Sequence, residues 1–159
     1  QTCALPICNR AGDEDWDRIA IVRYATRKSF IDMQSRRDFA DKHVHKAAGM
    51  QRTIIVCCRP EDASVDAHGR PKTDDQRHVL MVVRRGTDPK TAFAELQGST
   101  NFAAEGTIIG DGRKWDTVQF IAVDSAAELD KLHDAASASI SGDSYVMAVR
   151  ASMDSITQG

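Results

Sequence analysis

The chain has no apolar run approaching the roughly 18 residues that a membrane-crossing helix needs, so no membrane partner is expected. Aromatic residues are scarce, 6% of 159, and none interleave with the basic residues as a base-stacking surface would require. Nucleic acid is therefore not an expected partner. Cysteine is scarcer still once Cys3 and Cys8, which fall in or beside an anomalous N-terminal string, are set apart. That leaves Cys57 and Cys58. Adjacent residues on a strand point to opposite faces, which makes a mutual disulfide sterically poor and a reducing, cytoplasmic compartment the simpler reading. No Cys/His spacing has the form of a zinc site, and His43 and His45 diverge on a helix, so no metal and no cofactor are expected. Gly110-x-Gly112 is too short for a phosphate cradle and sits in a hairpin.

Beyond these absences the composition is that of an ordinary soluble chain, 42% hydrophobic and 28% charged, long enough for one sizeable core or two small ones. Residues 1–60 carry 11 Lys/Arg against 7 Asp/Glu, net +4, and residues 61–159 carry 10 against 16, net −6. The two halves can attract each other, or the basic excess is a solvated helix face.

The strongest signal is a repeat. Gly12-Asp13-Glu14-Asp15-Trp16-Asp17-Arg18-Ile19-Ala20-Ile21 returns 99 positions later as Gly110-Asp111-Gly112-Arg113-Lys114-Trp115-Asp116-Thr117-Val118-Gln119-Phe120. Each copy reads as an acidic turn entering a half-buried strand, with an amphipathic helix after it. At this offset Trp16 matches Trp115, Ile19 matches Val118, Ile21 matches Phe120, Phe30 matches Leu129 and Met33 matches Leu132.

The first seven residues stand apart. Gln1-Thr2-Cys3-Ala4-Leu5-Pro6-Ile7 resembles the translation of a common short-read sequencing adapter and is excluded from fold reasoning on that basis, the alternative being a genuine strand-like segment. It also lacks the basic and apolar regions of a signal peptide. The expectation is a native frame cut near Cys8, with roughly 40 residues missing upstream by comparison with the second unit.

In the first unit, a strand over Asp17–Tyr24 leads to Thr26 as N-cap of a short helix carrying Phe30 and Met33. A second helix follows over about Asp38–Met50, with Phe39, Ala40, Val44, Ala47 and Ala48 available for packing. Thr53–Cys58 reads as a buried strand stopping at Pro60. Residues 61–76, rich in Asp, punctuated by Gly69 and Pro71 and almost free of apolar side chains, read as a linker.

The second unit begins with a strand over His78–Arg84. Asp88 caps a helix with Pro89 at its first position, Gly98 ends it, and a strand over Phe102–Ile109 follows. The Gly110–Lys114 turn leads into a strand over Trp115–Val123. Asp124 or Ser125 caps a helix with Leu129 and Leu132 inward, and Tyr145–Met153 closes the unit. The domain reading is residues 1–7 as artefact, 8–60 as a truncated ferredoxin-like repeat, 61–76 as linker and 77–159 as a complete βαββαβ repeat.

With both repeats on the page, the chain resembles the dimeric α+β barrel superfamily at the level of element order, over essentially all residues beyond Ile7. The fold class implied is α+β, two ferredoxin-like repeats forming a single-chain pseudo-dimeric barrel with the first repeat truncated. A closer resemblance is confined to the first unit: Arg23-Tyr24-x-x-Arg27, Phe39, Lys42-His43-x-x-Lys46-x-Ala48-x-Met50 and Thr53-Ile54 are similar to a bacterial group in that superfamily. That group has no assigned reaction, so the resemblance implies a fold and no catalytic residue. The second unit departs from it, with Ala122-Val123 in place of Arg23-Tyr24 and no His-x-x-Lys after it. A site built on the pattern would be asymmetric.

The ligand-binding candidates are Arg23, Tyr24, His43, Lys46, Trp16 and Trp115. His43 and Lys46 share a helix face, and Arg23 with Tyr24 lies on the preceding strand, a group suited to an anionic or phenolic ligand with His43 as acid or base. The plain alternative is a surface Lys beside a His that stabilises the last helix carbonyls. Asp17 and Asp116 read as paired carboxylates or as turn caps, and the tryptophans as cleft lining or packing. Three functions fit: a small-molecule binding or sensing module, a cofactor-independent enzyme of monooxygenase type acting on a small acidic or phenolic substrate, and a structural or protein-interaction module. Fold alone does not choose among them. A truncated first repeat is also expected to expose an edge through which the chain self-associates.

Overall fold

A computed structural model describes residues 2–6, 16–61, 78–150 and 153–154, with side chains for 16–61 and 78–150. In chain order the elements are β1 (Thr2–Pro6), β2 (Arg18–Val22), α1 (Arg27–Gln34), α2 (Arg37–Ala48), β3 (Ile55–Pro60), β4 (His78–Arg84), α3 (Pro89–Glu95), β5 (Thr100–Ile109), β6 (Thr117–Val123), α4 (Ala126–Ser139), β7 (Tyr145–Arg150) and β8 (Met153–Asp154). The expected turn at Gly12–Asp15 and the linker beyond Glu61 lie outside the described residues.

Among the described residues Val79-Leu80-Met81-Val82-Val83 is the longest buried apolar stretch, and its lack of alternation has a plain cause. β4 is covered on both faces, so every residue meets apolar neighbours. It pairs antiparallel with β6 on one side and β7 on the other, inside a five-stranded sheet of order β3-β5-β6-β4-β7. From β4 to β7 the chain runs strand, helix, strand, strand, helix, strand, and every neighbouring pair is antiparallel. The result is α+β and compatible with a ferredoxin-like fold.

The two sheet faces bury different partners. Val79, Met81, Val83, Val118, Met147 and Val149 form one cluster, against which Trp16, Ile19 and Ile21 pack from the β2 side and Val56 and Cys58 from β3. Leu80, Val82, Val123, Val146 and Ala148 form the other, beneath Leu129, Leu132 and Ala136 of α4. β2 pairs with β1, and β1 with β8, as a separate three-stranded antiparallel sheet. Strand pairing uses main-chain groups alone, so the pairing of Thr2–Pro6 with Arg18–Val22 is independent of the origin of that segment.

Local chemistry sets the helix starts. The Thr26 hydroxyl accepts from the Ser29 N–H, the Asp88 carboxylate from Thr91 N–H, and the Ser125 hydroxyl from Glu128 N–H. Pro89 occupies the first turn of α3, where no N–H is needed, and Gly98 at φ 77° turns the chain out toward β5.

Four details depart from expectation. The sheet is open, with β3 and β7 at its edges, rather than closed into a barrel. β3 continues through Pro60, opposite Phe102, because an outermost strand tolerates a residue without an N–H. The last strand leaves the large sheet at Arg150, and Met153–Asp154 pairs with β1 instead. Neither α1 nor α2 buries a residue, and of the expected packing set on α2 only Phe39 is half-buried while Ala40, Val44, Ala47 and Ala48 are exposed. Apart from Phe39, the apolar side chains of α2 are Val and Ala, too little area to dock a helix that also carries Arg37, Asp38, Asp41, Lys42, His43, His45 and Lys46.

Candidate functional site

The expected site residues do not gather into one group: the two tryptophans meet the same apolar cluster, and the other four lie elsewhere. Trp115, 4% exposed, is core: its Nε1–H donates to the Asp143 carbonyl at 3.2 Å, Tyr145 meets its ring edge-on, and the Arg113 guanidinium lies 5.2 Å from its centroid. Trp16 is half-buried against the same cluster, with the Arg52 guanidinium 4.2 Å over its ring. Arg23 and Tyr24 are exposed just beyond β2, and Tyr24 packs edge-on against Phe30 at 5.1 Å. His43 and Lys46 are exposed on α2, where His43 stacks on Phe39, four residues earlier, at 5.6 Å. The aromatic partner of Tyr24 thus comes from α1 and that of His43 from α2 itself.

Asp116 has a structural task. Its Oδ2 accepts from Gly86 N–H at 2.6 Å while its own N–H donates to the Arg84 carbonyl and its carbonyl accepts from Ala104, pinning the entry to β6 between β4 and β5. In the hairpin before it, the Arg113 guanidinium hydrogen-bonds Asp111 and holds that carboxyl down at about 2. On β3 the opposite-face rule holds for the two free cysteines: Cys58 packs into the apolar cluster and the Cys57 thiol reaches Glu105 at 3.8 Å. Burial, with the neighbouring Cys57 and Glu105, pushes the Cys58 thiol up to about 12 and keeps it from acting as a thiolate nucleophile near neutral pH.

A different polar group lies inside the molecule, on the helix-covered face of the large sheet. Side chains alternate along β6, so Val118, Phe120 and Ala122 enter one cluster while Thr117 and Gln119 share the other face with Ile121 and Val123. Thr117 and Gln119 have no exposed surface, and Arg84, the partner of Thr117 across the β4 and β6 ladder, is 5% exposed. Helix α3 lies over them. The Ala92 carbonyl of α3 accepts from Gln119 Nε2 at 3.1 Å, and the Glu95 carboxylate accepts from Arg84 Nη1 at 2.6 Å. From β5, Asn101 Oδ1 accepts from Gln119 Nε2 at 2.9 Å, and Asn101 Nδ2 donates to Glu61 at 3.1 Å.

This network is incomplete. Arg84 Nε, Thr117 Oγ1 and Gln119 Oε1 are buried without a hydrogen-bond partner. A buried polar atom left without a partner costs about 1–3 kcal/mol, so three around one strand pair mark the least satisfied place among the described residues. His133 Nε2 on α4 is a fourth such atom. By sequence alone Arg84 is a strand end, and Thr117 and Gln119 are strand positions within the repeat. The available signal was the pair of polar residues at i and i+2 on a strand otherwise apolar on both faces.

Among the described residues no helix is long and apolar enough to cross a membrane. No protein-family model, curated protein or solved structure matches the chain.

Proposed function

We propose that this chain is a small-molecule binding or sensing module, built as two ferredoxin-like repeats of the dimeric α+β barrel type. The observation supporting it is the incomplete polar network of Arg84, Thr117 and Gln119 beneath α3: a domain whose only task was packing would gain stability by filling those positions with apolar residues. The recurrence of Trp16-Asp17 as Trp115-Asp116, with Ile19 and Val118 meeting in one apolar cluster, supports the duplicated reading. A broad metabolite panel read by thermal shift tests the proposal. At least one ligand class raises the melting temperature, and a panel with no effect overturns it.

A second reading, a protein-interaction module, is favoured by the exposed apolar side chains of the first half: Val44 at 67%, Ile31 at 50%, Met50 at 42% and Val22 at 41%. Sedimentation of the pure chain separates the two, since self-association lost on Val44→Lys supports interaction through α2, and a monomer at all concentrations removes self-association as its purpose.

A further inference from the structure

We infer that Arg84, Thr117 and Gln119 form a recognition site for the amide edge of a neutral small molecule, a carboxamide, lactam or cyclic imide. The inference rests on the binding-module reading and adds the ligand's chemical class. Arg84 and Thr117 face each other across β4 and β6, and Gln119 is two residues along on the same face. Directly opposed side chains start about 5 Å apart and diagonal ones about 7–8 Å, so the three side chains are near neighbours.

The free valences have a definite pattern. Gln119 is held in one orientation because Ala92 O and Asn101 Oδ1 both require a donor, which commits Nε2 to them and leaves Oε1 as an acceptor. Arg84 directs Nη1 to Glu95 and retains Nε–H as a donor. The Thr117 hydroxyl serves either way. The complement is a ligand with an acceptor for Arg84 and a donor for Gln119 side by side, which is the edge of an amide.

Charge argues against the obvious alternative, an anion drawn to a buried arginine. The Arg84 charge is already matched by Glu95 at 2.6 Å, and an anion would meet the carbonyl oxygen of Gln119 with no donor to offer it. A cation would meet Arg84. A neutral ligand avoids both costs. Glu95, half exposed on the seven-residue α3, joins the site to the surface, so the approach runs past that helix.

The test uses the full chain with three small probes of similar size: acetamide, acetate and methylammonium. The Arg84 Nε–H and Gln119 Nε2 signals are followed in 15N-correlated NMR spectra. Acetamide is expected to shift both saturably, and acetate to need roughly tenfold higher concentration, the consequence of leaving one buried acceptor unmatched. Thr117→Val, which keeps the side-chain shape, weakens the acetamide response. Glu95→Gln leaves Arg84 uncompensated and reverses the order, so that acetate binds better. Equal or tighter binding of acetate by the native chain overturns the inference, as does a folded spectrum in which no probe moves these signals. Should Glu95→Gln fail to fold, the comparison of probes on the native chain and on Thr117→Val still decides. A panel metabolite whose thermal shift survives Thr117→Val undiminished keeps the binding-module reading and removes this site. An acetamide response with no metabolite shift does the reverse.

Discussion

At the scale of single residues, burial and hydrogen bonding separate the two tryptophans that the repeat equates. Trp115 is enclosed and its indole N–H is engaged, so Trp115→Ala is expected to cost about 3–5 kcal/mol by urea denaturation; a loss below about 1 kcal/mol would contradict its core placement. Thr117→Val should do the opposite of most core changes. It removes an unpartnered buried hydroxyl at constant shape, so stability stays level or rises by up to about 1 kcal/mol, and a clear loss would show that the hydroxyl has a partner after all. Cys58 gives a pH signature whose sign follows from its environment. The folded thiol titrates at about 12, above the ordinary 9.0, so the fold favours the protonated form. Nothing is lost below pH 9. Above it the unfolded chain releases its proton first, and stability falls as pH rises toward 12. Urea midpoints of the native chain and Cys58→Ala, compared between pH 8 and 10, should converge as pH rises; parallel slopes would refute the assignment.

At the scale of elements, much was legible where local chemistry and burial agree. The β4 span emerges from its run of β-branched and apolar residues, and Thr26, Asp88 and Ser125 cap the helices their positions suggest. α2 was readable as a helix but not as an exposed one, because periodicity reports an apolar stripe and not whether a neighbour covers it. Val44→Lys, at a position 67% exposed, is accordingly expected to change stability by less than about 0.5 kcal/mol, against the 2 kcal/mol or more of a buried site, in the same denaturation assay. The polar group beneath α3 was illegible for another reason. Thr117, Gln119 and Arg84 acquire meaning only when β4 and β6 are in register and α3 lies across them, and strand pairing is a property of distant segments.

At the scale of the whole molecule, stability is expected to be uneven. β4 is paired on both sides and enclosed on both faces, whereas β3 is an edge and α1 and α2 bury no residue. Amide hydrogen exchange should rank them in that order, slowest in β4 and fastest in α1 and α2, and equal protection throughout would mean that the helices are docked. The strand, helix, strand, strand, helix, strand order of residues 78–150, compatible with a ferredoxin-like fold, was visible in the sequence, while the open sheet was not, since closure depends on how β2 and β3 are shared out. Those two strands go to different sheets: β2 pairs with β1, and β3 pairs with β5. Between them lie 32 positions, 23–54, which carry the two exposed helices, and the piece before them holds to the large sheet through Trp16, Ile19 and Ile21 and to the far end of the chain through β1 on β8. That stretch is a handle. A protease nick or an inserted affinity tag between α1 and α2, clear of Arg52 and Ile54, should leave the two sides clasped together in solution, making that junction the natural place to grip, label or split the protein without unfolding it.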